Sequence, residues 1–248
     1  YPHGAAARRP GTQYVAEVKS SAAKTRLIPF EFSTTQTYIL ELGNEYIRFY
    51  RDNGQILSSG SPYEISSPYL TAELFDIKFA QSADVMYITH PSHKTRKLSR
   101  TGHTSWTLTE VDFTNGPYLD TNTSTTTITA SAQTVGTGRT FTASANTFAS
   151  TDVGRLVRFR DGYAKITAYT SATVVTVEIL KDTGATTAST DWSLGAFSET
   201  TGHPSCVSFF EQRLVFAATL NNPQTVYFSR SGDYENMDAN IGGTVADD

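Results

Sequence analysis

The chain has 248 residues, enough to build more than one core, and its formal net charge of −4 gives no global basic field to attract nucleic acid. Thirteen Tyr, 14 Phe and many Thr, with no 15-residue window of helical periodicity, predict an all-β protein of antiparallel sheets. One cysteine, Cys206, excludes an internal disulfide framework and a cysteine-based zinc site, and no apolar run reaches the roughly 18 residues of a membrane-spanning helix.

The opening segment YPHGAAARRPGTQYV carries Pro2, Gly4, Pro10 and Gly11, which predicts a non-regular arm. Pro10 biases Arg9 toward extended geometry. Arg8, Arg9 and Pro10 are candidate interface residues: the two arginines suit a carboxylate or phosphate on a neighbouring subunit, or are simply solvated. Residues 27–32 and 37–42 read as paired strands, followed by a turn at Gly43-Asn44 and a strand over 46–51. Asp52-Asn53-Gly54 is a strong turn signal leading to residues 55–57, so 37–57 forms a three-stranded meander with one wet face. A short strand follows over 63–65. Residues 71–74 read as one helical turn, with Thr71 as its N-cap.

Residues 77–100 predict a three-stranded unit, continued by a strand over 106–111. His90 and His93 lie in its second turn, with His103 beyond. No Asp, Glu or Cys stands at a supporting spacing in sequence, so these are read as solvated turn histidines and no metal is assigned.

The texture changes at Asn122. Thr and Ser dominate through Ser150, and strands are predicted at 125–130 and 140–143, with a turn over 148–154. A meander then runs through 156–160, 163–169 and 174–179, with turns at Asp161-Gly162 and Thr170-Ser171-Ala172, and residues 192–194 close a small barrel or sandwich. Arg155, Arg158 and Arg160 are expected to share one face, either as a stripe for acidic sugar or phosphate or as a solvated barrel face.

Residues 207–230 repeat the layout of 77–100. Strands are predicted at 207–211, 213–219 and 225–229, and the two segments align without a gap, matching Phe79 with Phe209, Val85 with Val215 and Ser99-Arg100 with Ser229-Arg230. Repeated antiparallel units of this size suggest propeller blades or leaves of a sandwich. Cys206 is expected to be a small buried hydrophobe, and Phe209, Phe216 and Phe228 to be core. The organisation expected is an arm, meander and first blade-like unit over 1–120, an inserted barrel over 121–197 and a second blade-like unit over 198–248, within a longer protein.

No phosphate-cradling loop, Gly-x-Ser-x-Gly elbow or His-Glu-x-x-His motif occurs. Glu41 with Glu45, and Asp233 with Asp238, are the carboxylates near enough in sequence to be weighed as a hydrolytic pair, and they read as surface acids beside turns. No catalytic, cofactor-binding or metal-binding residue is assigned, which favours a structural or binding role over an enzyme.

The segment Ala7-Arg8-Arg9-Pro10-Gly11-Thr12 resembles a motif near the start of the tail tubular protein B family, the nozzle proteins of short-tailed phages. The stretches 27–32, 46–50 and 80–85, and Pro204 followed by 209–214, resemble related phage virion proteins in the same order. This resemblance implies a virion structural protein of the phage tail, assembled in the host bacterial cytoplasm. It would be a homo-oligomeric, hexameric ring with β-propeller elements, joined to portal and adaptor rings and to tail fibre proteins, around passing duplex DNA during ejection. The other reading is a receptor- or glycan-binding module of a tail fibre or baseplate, with Tyr163 and Tyr169 as contact residues.

Overall fold

The computed structural model describes Gly4, residues 11–33 and residues 36–238. Among them the regular structure is almost wholly antiparallel β-sheet, as composition requires, with one 3₁₀ turn at Ser150–Asp152. The chain divides into two compact units. The first holds residues 1–75 and 100–107, and the second 76–99 and 108–248. The strands over 93–102 and 105–110 each contribute residues to both units.

In the first unit, β1 (Arg26–Glu31), β2 (Thr37–Gly43), β3 (Tyr46–Arg51) and β4 (Gly54–Gln55) form an antiparallel sheet. A small hairpin of β5 (Leu57–Ser58) and β6 (Ser61–Pro62) follows, and β7 (Glu64–Ser66) returns to pair with β3. Asp52 and Asn53 both take positive φ, 51° and 59°, the twist that a two-residue hairpin loop needs. Pleating puts Ile28, Phe30, Tyr38, Leu40, Ile47 and Phe49 on one buried face. Trp106 closes that core, stacked on Phe49 at 4.4 Å and edge-on to Phe30 at 4.8 Å. Residues 71–74 make turns rather than a helix: the Glu73 carboxylate accepts from the Leu70 N–H, so the reversal starts one residue before the expected cap.

In the second unit, one sheet precedes the inserted region in sequence and another follows it. β8 (Lys78–Ser82), β9 (Val85–His90), β10 (His93–Gly102) and β11 (Ser105–Glu110) form one sheet in the order β11-β10-β9-β8. The inserted region forms a six-stranded curled sheet from β12 (Ile128–Ala130), β13 (Gly136–Ala143), β14 (Leu156–Phe159), β15 (Gly162–Ser171), β16 (Val174–Lys181) and β17 (Trp192–Leu194). Its inward row includes Phe141, Val157, Phe159, Ile166 and Val177, all essentially inaccessible. Gly162 is required there because a Cβ would collide with the carbonyl oxygens of Lys181 and Asp182. β18 (Cys206–Phe210), β19 (Arg213–Ala217) and β20 (Val226–Phe228) make the last sheet, β18-β19-β20.

The two three-stranded units are real, but their gapless alignment is not. The first hairpin turns at Ala83-Asp84 and the second at Glu211-Gln212, so pairing sets Phe79 against Ile88 and Val207 against Phe216. Phe79 therefore corresponds to Val207, not Phe209, and the second connection is the longer one. The turn residues fix register, and a shift of two keeps every side chain on its own face. Phe209 and Phe216 do join the core with Tyr87, Leu214 and Tyr227, whereas Phe228 is 47% exposed and Cys206 is exposed. Both exceptions follow from pleating: Tyr227 takes the inward position of β20, and Cys206 stands beside inward-facing Val207.

Replacing Phe216 by Ala is expected to cost about 3–5 kcal/mol in denaturant unfolding, while Phe228→Ala stays within about 0.5 kcal/mol of the parent. Equal effects would contradict the inward and outward assignment. Gly162→Ala should lower the unfolding midpoint more than Gly11→Ala, where a Cβ meets nothing and the backbone is not in the left-handed region.

Candidate functional site

Arg8, Arg9 and Pro10 lie outside the described residues. Among the described residues, the outer face of β18–β20 carries exposed apolar side chains. Register aligns Cys206, Ala217 and Val226 across the sheet, and next to them Ser208, Val215 and Phe228. Phe210, Val226 and Phe228 are 58%, 49% and 47% exposed on strands whose opposite face is core. An apolar row on the wet face of a sheet is the pattern of a contact surface.

Glu41 is not the surface acid expected. It lies on the outer face of β2 opposite Arg48, yet it is fully buried. The hydroxyls of Tyr46 and Tyr50 each donate to one of its oxygens, and the backbone N–H of Lys19 donates at 3.3 Å. Gly43 permits this roof, since a Cβ there would occupy the space of the Tyr46 ring. Arg48 and Lys19 hold Glu64 at 3.0 and 2.7 Å, and that pairing, Lys19 first, keeps the Glu64 carboxyl below its ordinary pKa. Burial, then the bond and charge of Glu41, push the Tyr46 phenol up to about 12; Tyr50 is raised by the same causes. Glu45, by contrast, is an exposed turn residue with φ 60°, and Asp233 is exposed.

The three arginines do not share a face. Arg155 precedes β14 and is buried, because a separation of three residues reverses its side relative to Arg158. Its Nη1 donates to Asp152 Oδ1 at 2.8 Å and its Nε to the Gly195 carbonyl at 2.7 Å, while Nη2 is buried with no hydrogen-bond partner among the described residues. Asp152 also accepts from the Ala149 N–H and the Thr200 hydroxyl, which fixes the 3₁₀ turn beneath Arg155. Burial pulls the guanidinium below its ordinary pKa, and Asp152 opposes that. Arg158 bonds Asp191 and Ser193, and Arg160 bonds Thr187, so both tie down the 187–193 segment.

Arg155 lines a cleft of about 320 Å³ that lies wholly within the second unit. Lys165 pairs with Asp112 at 2.7 Å and Lys94 with Glu110 at 3.4 Å along it. His203 bonds Glu199 at 3.0 Å; burial lowers its pKa, and the bond to Glu199 works the other way. Phe113, Pro117, Val153 and Phe197 supply apolar lining. Sequence spacing could not find this site, whose members are scattered from Lys94 to His203.

Tyr163 and Tyr169, the proposed sugar-contacting aromatics, are not among the cleft lining. His90 is buried rather than solvated, with its ring centre 5.0 Å from that of His93, and His103 shares a hydrogen bond of 2.7 Å with the Tyr38 hydroxyl. No helix among the described residues is long and apolar enough to cross a membrane. The chain matches no protein-family model and no curated protein sequence.

Asp152→Ala leaves a buried guanidinium charge without its counter-ion and is expected to cost about 3–5 kcal/mol by urea titration. A second test uses pH. The Tyr46 phenol has an ordinary value of 10.0 and is raised in the folded chain to about 12, so its contribution is complete below pH 10 and is lost as pH climbs through 12. Urea midpoints followed by circular dichroism should fall across that window, and less steeply in Tyr46→Phe.

Proposed function

We propose that this chain is a structural component of a phage tail, of the nozzle or tubular type, and that it assembles as a ring around the channel through which DNA leaves the virion. The observation that carries the reading is the outward apolar row Phe210, Val226 and Phe228 on the β18–β20 sheet. Its inner face already packs on Tyr87 and the core, so the outer face is free to take a second β-layer. Propeller-like and ring architectures stack sheets in this way. The ordered resemblance of 27–32, 46–50, 80–85 and 209–214 to phage virion proteins adds the tail assignment.

In this reading duplex DNA passes through the ring without sequence-specific binding, and a net charge of −4 supplies no global basic field to hold it. Neighbouring copies, portal and adaptor rings and tail fibres are the partners, and no turnover is required.

The test is light scattering and negative-stain electron microscopy on the full-length gene product. Rings with a central opening as wide as a DNA duplex are expected. Phe228→Glu places a charge in the apolar row without touching the core, and should shift the population from rings to monomers at unchanged unfolding midpoint. Rings that persist in Phe228→Glu would remove this sheet face from the assembly surface, and a parent chain that stays monomeric at high concentration would count against the ring.

A further inference from the structure

Buried polar groups in folded proteins are almost always satisfied, so a guanidinium nitrogen that lacks a partner needs a reason. Arg155 is 2% exposed at its side chain, and two of its three nitrogens are fixed by Gly195 and Asp152. The third, Nη2, has no partner among the described residues, and Arg155 is part of the cleft lining. A donor held rigid in this way is suited to an acceptor oxygen entering the cleft.

The rest of the lining decides which kind. Arg155, Lys94 and Lys165 meet Glu110, Asp112 and Glu199 in the same space, with Asp152 directly behind Arg155. A phosphate or a uronate would gain from the cations but would face these carboxylates at once. A neutral group that both accepts and donates avoids that repulsion, and a sugar hydroxyl does both. The apolar side chains Phe113, Pro117, Val153 and Phe197 offer surface for the C–H faces of a pyranose ring. At about 320 Å³ the cleft falls at the small end of ligand pockets, about 300–1,000 Å³, which suits a short saccharide rather than a long chain lying in a groove.

We propose that the cleft of the second unit binds a neutral saccharide, with one hydroxyl oxygen accepting from Arg155 Nη2 and others donating to the carboxylates of Glu110, Asp112 and Glu199. Lys94 and Lys165 hold Glu110 and Asp112 in place as acceptors. Every residue of the site belongs to one chain, so binding can be measured apart from ring formation. Tyr163 and Tyr169 belong to the same unit but are not part of the lining.

The experiment is saturation-transfer NMR on the intact chain with three probes: neutral mono- and disaccharides, glucuronate and inorganic phosphate. A glycan array carrying neutral polysaccharides forms a second arm, which distinguishes a free sugar from a unit within a polymer. Neutral sugars are expected to receive saturation, or neutral glycans to be retained on the array, and either signal should vanish in Arg155→Lys. Because Arg155 is buried, a second variant protects the test from misfolding. Glu110→Gln with Asp112→Asn alters two exposed carboxylates and should keep the parent unfolding midpoint while weakening binding about tenfold or more. Silence from neutral sugars in both arms overturns the proposal. So does binding that the double variant leaves unchanged, or binding of phosphate or glucuronate alone.

Discussion

Side chains alternate across a β-strand, so each sheet that buries one row must present the next to something else. In a chain built almost wholly of strands, that constraint governs every layer. Leu214 and Phe216 go inward on β19, and Val215 and Ala217 are thereby turned outward beside Val226 and Phe228. Residues 162, 164 and 166 face the core of the curled sheet, which puts Lys165 on the outer side within reach of Asp112. The outward apolar row and the charged cleft are both consequences of where the cores lie.

Burying charge imposes the second condition. A buried ion is tolerated only with partners that replace water, and the chain meets this twice by different means. Glu41 receives two phenol hydroxyls and a backbone N–H, with Gly43 leaving room for the Tyr46 ring. Arg155 receives a carboxylate that is itself tied down by Ala149 and Thr200, yet one of its nitrogens is left over. The first arrangement is closed on itself and serves the sheet. The second is open toward a cleft, and that difference is why a ligand is assigned to Arg155 and not to Glu41.

The proposed ring assembly and the proposed saccharide site are compatible in one chain. The apolar row and the cleft draw on different side chains, and one is a broad face while the other is a recess with paired charges. Assembly needs area and shape, whereas recognition of a sugar needs fixed donors and acceptors. The same scaffold supplies both because sheets present faces and the loops between them form recesses.

The amino-acid sequence by itself determined the all-β class, most strands to within a residue or two, and the position of the hairpins. Those features are local: β-branched and aromatic runs prefer the extended chain, and pairs such as Asp52-Asn53 accept the left-handed turn geometry. It also suggested a shared layout for 77–100 and 207–230, and each holds three consecutive antiparallel strands. Only the tertiary structure decided the register between them, the outward placement of Cys206 and Phe228, the burial of Glu41, and the separation of Arg155 from Arg158 and Arg160. Composition cannot carry these, because a one-residue shift in parity exchanges inside for outside while leaving every propensity unchanged. The cleft was beyond sequence for a related reason: Lys94, Glu110, Arg155 and His203 meet only after sheets distant along the chain have packed.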